Sequence, residues 1–191
     1  MLRVPLETKT ITLCRAGRST TYPANFQLVM ATAPCPCGNF GSKDKICLCS
    51  AKSVEQYWKK FSSPLLDRVG IRVDCNAKDY TDDELFSLKK LRELIEIAWK
   101  VQYKRQGKLN QDLNIEEVSS LKMTNFAKEV LDEATERYGY SPREISNILK
   151  IARTQQDMCG IDDRACPEID DISIKSAIRW HGHRLERCLT N

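Results

Sequence analysis

The chain has 191 residues, 41% of them hydrophobic and 29% charged, the make-up of an ordinary globular protein able to bury a core. Its formal charge of +4 is too mild to argue for nucleic acid by itself, and the lysine and arginine clusters at Lys89, Lys90, Arg92 and at Lys104, Arg105, Lys108 read as solvated helix faces sooner than as phosphate contacts. The longest apolar run, Phe26 to Ala33, is far too short to cross a bilayer, and "MLRVPLETKT" has no signal-peptide core, so a cytoplasmic protein without a membrane partner is expected.

In chain order, "TKTITLCRAGRSTTYPANF" alternates Ile11 and Leu13 with polar neighbours, turns at "RAGRS" and resumes through Thr20 and Tyr22, which predicts a β-hairpin. "FQLVMAT" reads as a buried strand. After a cysteine-rich loop, Ser50 is placed to cap a short helix to about Phe61, and "SSPLLDRV" restarts one with Ser63 as cap and Pro64 at its first position. "GIRVDC" reads as another strand.

Beyond residue 80 the pattern is helical. Thr81 and Glu84 stand at capping-box spacing, and Leu85, Leu88, Leu91, Ile95 and Ala98 form one apolar stripe. A second helical pattern spans roughly 116–138 and is stopped by Gly139. "SPRE" restarts a helix with Ser141 as cap, Pro142 at the first position and Glu144 closing the box, and Ile145, Ile148, Leu149 and Ala152 give its buried face. A last helix is expected at about 171–187, and His181 and His183 beyond its middle read as surface residues. The expected class is therefore a small mixed α/β piece followed by an all-α bundle.

The chemistry-bearing run is "CPCGNFGSKDKICLC". Nine cysteines in a chain expected in a reducing compartment point to metal or reactive thiols sooner than to a disulfide framework. Cys35, Cys37, Cys47 and Cys49 form two Cys-x-Cys pairs, and the nine residues between the pairs, which include two glycines, are enough for the return. Four thiolates at that spacing predict a structural zinc site, with iron left open at this stage.

Three runs carry a family resemblance. "YPANFQLVMATAPCPCGNFGSKDKICLCSAKSVEQYWKKFSSPLLDRVGIRV" resembles the magnesium-chelatase-like AAA+ ATPases of the ComM (YifB) type, whose pattern there is roughly YPARF-LVAAMNPCPCG, a CxC and SGPLLDRIDL. "LRVPLETKTITLCRAGRS" is similar to the segment preceding it, and "GYSPREISNILKIARTQQDMCG" to the lid signature LSAR-Y-RILKVARTIADLxG. The resemblance implies the C-terminal part of an AAA+ core in residues 1–77 (hairpin, sensor-1 strand, cysteine loop) and a helical lid in 78–191.

It also implies roles. Arg68 in "PLLDR" matches an arginine finger that reaches a neighbouring subunit's ATP, Arg143 in "SPRE" matches the lid's sensor 2, and Arg153 is expected to pack or pair. Arg15 and Arg18 fall on a hairpin that in several relatives faces a central channel, which makes them candidates for DNA phosphates. Ala33 stands where the family has a water-orienting asparagine, and Thr32 beside it should face the other way. No G-x-x-x-x-G-K-[ST] and no acidic Walker B strand occurs in the 191 residues, so ATP and Mg²⁺ are expected to bind only with a complementing N-terminal part.

The implied activity is that of a hexameric, ATP-dependent DNA motor acting in branch migration. The partners would be further copies or the complementing half. The alternative is a non-catalytic, zinc-stabilised interaction domain or the remnant of a split or decayed gene.

Overall fold

The computed structural model of the protein describes residues 3–42, 44–61, 63–73, 87–158 and 168–182. Two units divide the chain at Val69/Gly70. In the first, α1 (Arg3–Thr8) leads into β1 (Thr10–Arg15) and β2 (Arg18–Pro23), an antiparallel pair in which Thr10 faces Pro23 and Arg15 faces Arg18. This is the expected hairpin. Its turn residues Ala16 and Gly17 both have positive φ, 49° and 77°, as a two-residue turn matched to the strands' twist requires.

Glycine adopts that conformation freely and alanine does not. Ala16→Gly is therefore expected to stabilise the hairpin by about 1 kcal/mol, read as slower amide exchange across β1 and β2. Both strands are exposed on both faces except at Thr10.

The run Phe26–Ala33, expected as a buried sensor-1 strand, is not a strand and is largely exposed, with Val29 at 84%. A strand exists only when its backbone groups are paired, and the sheet among the described residues has two strands, both in the hairpin. After the cysteine loop, α2 (Ala51–Lys59) is capped by Ser50, whose hydroxyl accepts from the Ser53 amide, and it buries Val54 and Trp58 one turn apart. α3 (Ser63–Leu66) is a single turn. Residues 70–73 of the expected "GIRVDC" strand are irregular, and its remainder and the Thr81–Glu84 box lie outside the described residues, as does the side chain of Ser63, the expected cap.

The second unit is helical. α4 (Leu88–Gln106) starts at a Ser87 cap and ends on Gly107 in the left-handed region. A 3₁₀ turn at Asn110–Asp112 leads to α5 (Ile115–Ser119), whose Asn114 and Glu117 form a reciprocal capping box. α6 (Asn125–Tyr138) stops at Gly139, α7 (Pro142–Met158) opens with Ser141 and Glu144 bonded to each other's amides, and α8 (Asp171–His181) starts at Asp170. Their shared core includes Leu131, Ile148, Leu149, Ala152, Ile174 and Ala177.

Two expectations shift. The pattern at 116–138 is broken between α5 and α6, where Met123 bridges Ile169. On α4, Leu88, Leu91 and Ile95 are exposed and only Ala98 of the described stripe is buried. The inward face instead carries Ala98 and Gln102, and α7 packs on the helix. Leu85 is outside the described residues.

Candidate metal centre

The four cysteines meet. The Sγ atoms of Cys35, Cys37, Cys47 and Cys49 all lie within 4.8 Å of one another. Three of the separations are 3.4 Å (Cys35–Cys37), 3.7 Å (Cys35–Cys47) and 3.6 Å (Cys37–Cys47). A tetrahedral Zn²⁺ with Zn–S near 2.3 Å sets sulfur–sulfur edges at about 3.8 Å, so the set fits one ion closely.

Local chemistry builds the site. Gly38 has φ +77°, and its amide donates to the Cys35 carbonyl at 3.0 Å, closing the turn that lets a Cys-x-Cys pair face one point. The Phe40 amide donates to Cys35 Sγ at 3.4 Å. Cys35 is fully buried against Val54 and Trp58, with Cys47, Cys49, Tyr57 and Phe61 packed around them. Trp58 Nε1–H donates to the Pro34 carbonyl at 3.0 Å, tying α2 to the turn. Cys49 is followed at once by the Ser50 cap, so the second pair is anchored to the start of α2.

Without a cation the thiols split. Burial opposes ionisation of Cys35, but the Phe40 amide and the Cys37 and Cys47 thiols outweigh it and hold the group at about 6, against 9.0 ordinarily. The Asn39 amide leads in lowering Cys37. Cys47 is raised: the Cys49 amide works to lower it, and burial with the Cys37 and Cys35 thiols prevails. Cys49 is pushed up to about 12, since the Cys37 amide that lowers it is outweighed by the Cys37 thiol, burial and the other two thiols. Four thiolates packed this closely repel one another, and a divalent cation is what lets all four ionise.

The predicted arginines are spread over other places. Arg68 follows α3, its side chain is 12% exposed, and its Nη2 lies 2.8 Å from Glu7 Oε2. Arg143 is exposed in the first turn of α7. Arg15 and Arg18 close the exposed hairpin as a cross-strand pair. Ala33 is exposed, and the Thr32 hydroxyl lies 2.9 Å from that of Tyr57.

Sequence reading missed the polar heart of the helical unit. Asp157 on α7, 1% exposed, accepts from Arg153 Nε at 2.9 Å and Nη2 at 2.8 Å, from Arg105 Nη2 at 3.0 Å and from Asn110 Nδ2 at 2.9 Å. Asn110 in turn accepts from Arg105 and Gln106, and its amide donates to Gln102 Oε1. Arg153 pairs as expected and Arg105 turns inward to Asp157, away from the solvated-face reading, while Lys108 meets Glu117 at the surface, in keeping with it. His181 is another correction: it is fully buried, donates Nδ1–H to the Gly70 carbonyl at 2.9 Å and stands edge-on to Tyr140. A lone pair of histidines near the C-terminus reads as surface, but this ring fills a core space. His183 lies outside the described residues.

A four-cysteine knuckle behind a hairpin, followed by a capped helical bundle, defines a two-part chain, and both parts match known families. Residues 1–83 match "magnesium chelatase, subunit ChlI" and residues 87–179 match "magnesium chelatase, subunit ChlI C-terminal". The chain belongs to this magnesium-chelatase-like family and is of the ComM/YifB type.

An uncharacterized protein of Mycobacterium tuberculosis is 32% identical over 96% of this chain and 37% of its own length. Competence protein ComM of Haemophilus influenzae is 31% identical over 83% of this chain and 32% of its own length. Uncharacterized protein YifB of Escherichia coli is 31% identical over 82% and 32%. The chain thus spans about a third of the length of these relatives. Among the described residues no helix is long and apolar enough to cross a membrane.

Proposed function

We propose that these residues are the C-terminal portion of a ComM-like AAA+ ATPase, a hexameric DNA motor, in which 1–77 completes the nucleotide-binding core around a structural zinc and 78–191 is the lid. The zinc-stabilised interaction domain is the lesser reading, because the arginines expected of a motor are present in motif context. The observation that carries the proposal is Arg68, held at the end of "PLLDR" by the Glu7 carboxylate at 2.8 Å. A guanidinium is a planar fork suited to carboxylate and phosphate alike, and the developing charge on a neighbour's γ-phosphate competes with Glu7 for it. Arg143, exposed at the first turn of α7, answers the nucleotide of its own subunit. The hairpin carries Arg15 and Arg18 toward DNA phosphates. Localisation in the cytoplasm belongs to the same reading.

Supplied with the remainder of the motor, Arg68→Ala is expected to leave assembly intact and cut ATP turnover by roughly 10³-fold or more. Arg143→Ala should lower it through the lid, and Ala33→Asn should raise it by restoring a water-orienting amide. Turnover of the Arg68→Ala assembly equal to wild type removes the finger role.

A further inference from the structure

The cysteine cluster is covered unevenly. Cys35 is fully buried against Val54 and Trp58, Cys47 and Cys49 are half-buried, and Cys37 is exposed, with exposed Pro36 and Gly38 on either side of it. Cys47 stands between Ile46 and Leu48, which are 82% and 88% exposed. The edge joining Cys37 to Cys47, 3.6 Å between sulfurs, is therefore the side of the cluster that faces solvent.

We propose that Cys37 is a modification site for a small hydroperoxide, and that its oxidation ends in a disulfide to Cys47 that breaks up the metal centre. This rests on the reading of the cluster as a zinc site, in which the sulfurs are held as thiolates, the nucleophilic form. The Cys37 sulfur attacks one peroxide oxygen: an S–O bond forms, the O–O bond breaks, and hydroxide leaves, giving a sulfenic acid. The Cys47 thiolate then attacks the Cys37 sulfur, so that an S–S bond forms, the S–O bond breaks and a second hydroxide leaves. The two thiolates have lost two electrons to the peroxide, and two solvent protons turn the hydroxides into water. Two cysteine ligands remain, too few for a closed structural site. Cys35 is nearer to Cys37, at 3.4 Å, but a disulfide needs about 2.0 Å, and Pro36 fixes the backbone between the pair. Cys35 is also held by the Phe40 amide, and Cys49 by the Ser50 cap that follows it. The nine residues from Gly38 to Ile46, with a second glycine at Gly41, leave Cys47 the freest to close.

The probe is hydrogen peroxide, added to the 191-residue chain purified with its zinc. A zinc-binding dye follows release, a cyclic diketone traps sulfenic acid, and peptide mapping by mass spectrometry locates the disulfide. Release should keep pace with a Cys37–Cys47 disulfide, and the trap should mark Cys37 ahead of Cys35, Cys47 and Cys49. Cys37→His, which keeps a zinc ligand at that position, should slow release by about tenfold or more. The trap and the map are read on the wild-type chain and decide the matter even where Cys37→His takes up no zinc. Zinc that stays bound under peroxide, a trap that lands first on another of the four, or a disulfide joining another pair overturns the proposal and leaves the zinc site standing. Release from Cys37→His at the wild-type rate does the same. A chain that binds no zinc overturns both.

Discussion

Replacing Asp157 by alanine is expected to destabilise the helical unit by about 3–5 kcal/mol, because removing one partner of a buried ion pair leaves the other charge uncompensated. Arg153 is 3% exposed and both its Nε and Nη2 are committed to Asp157, so it has no short route to water. Arg105, whose side chain is 29% exposed, can turn outward and relieves only its own share. The loss rivals the whole stability of a small unit. Urea unfolding followed by helical circular dichroism reads it. The double change Arg153→Met with Asp157→Leu should recover much of the loss, since an apolar pair of similar volume often replaces a buried ion pair without cost. If the single change costs no more than a surface substitution, the network is not what ties α4 to α7.

Metal removal should have the largest effect in the first unit. Its buried cluster among the described residues is Cys35, Val54 and Trp58, and a core that small does not hold a fold unaided. Structural zinc in small domains contributes on the order of 10 kcal/mol or more of folding free energy. A chelator, or Cys35→Ser, is therefore expected to unfold this unit while the helical one keeps its circular dichroism. Trp58 reports it, because it is buried where Trp99 and Trp180 are not.

Acid should act in the same direction. Binding needs four thiolates, and the protons hardest to displace are those of Cys47 and Cys49, whose values are raised. Affinity therefore falls as pH falls, and more steeply below about 6, where Cys35 also takes a proton. Metal analysis of purified protein beside Cys47→Ser checks the site, which fails if neither protein carries stoichiometric metal.

What could be read from the sequence was what local chemistry decides. The hairpin follows from alternation and a turn glycine, and the starts of α2 and α7 from caps whose partners lie three residues away. The cysteine cluster was legible because two Cys-x-Cys pairs bracket a loop of fitting length. What needs distant partners was not. Whether residues 26–33 form a strand depends on neighbours the alternation cannot see. α4 carries apolar residues on more than one side, and packing against α7 decides which side is inward. Asp157 carries no local mark of burial, being an acid four residues after an arginine on a helix. Its burial depends on Asn110 and Arg105, some fifty residues earlier in the chain, as two of its bonds span 47 and 52 positions.

The most direct test of the motor reading is ATP hydrolysis by the purified chain alone and then mixed with the complementing part of a ComM relative. Alone it should show no turnover above background, because its 191 residues contain no lysine-bearing glycine loop to cradle the phosphates. The mixture should hydrolyse ATP, and Arg68→Ala should silence it. Appreciable turnover by the chain alone would contradict the account.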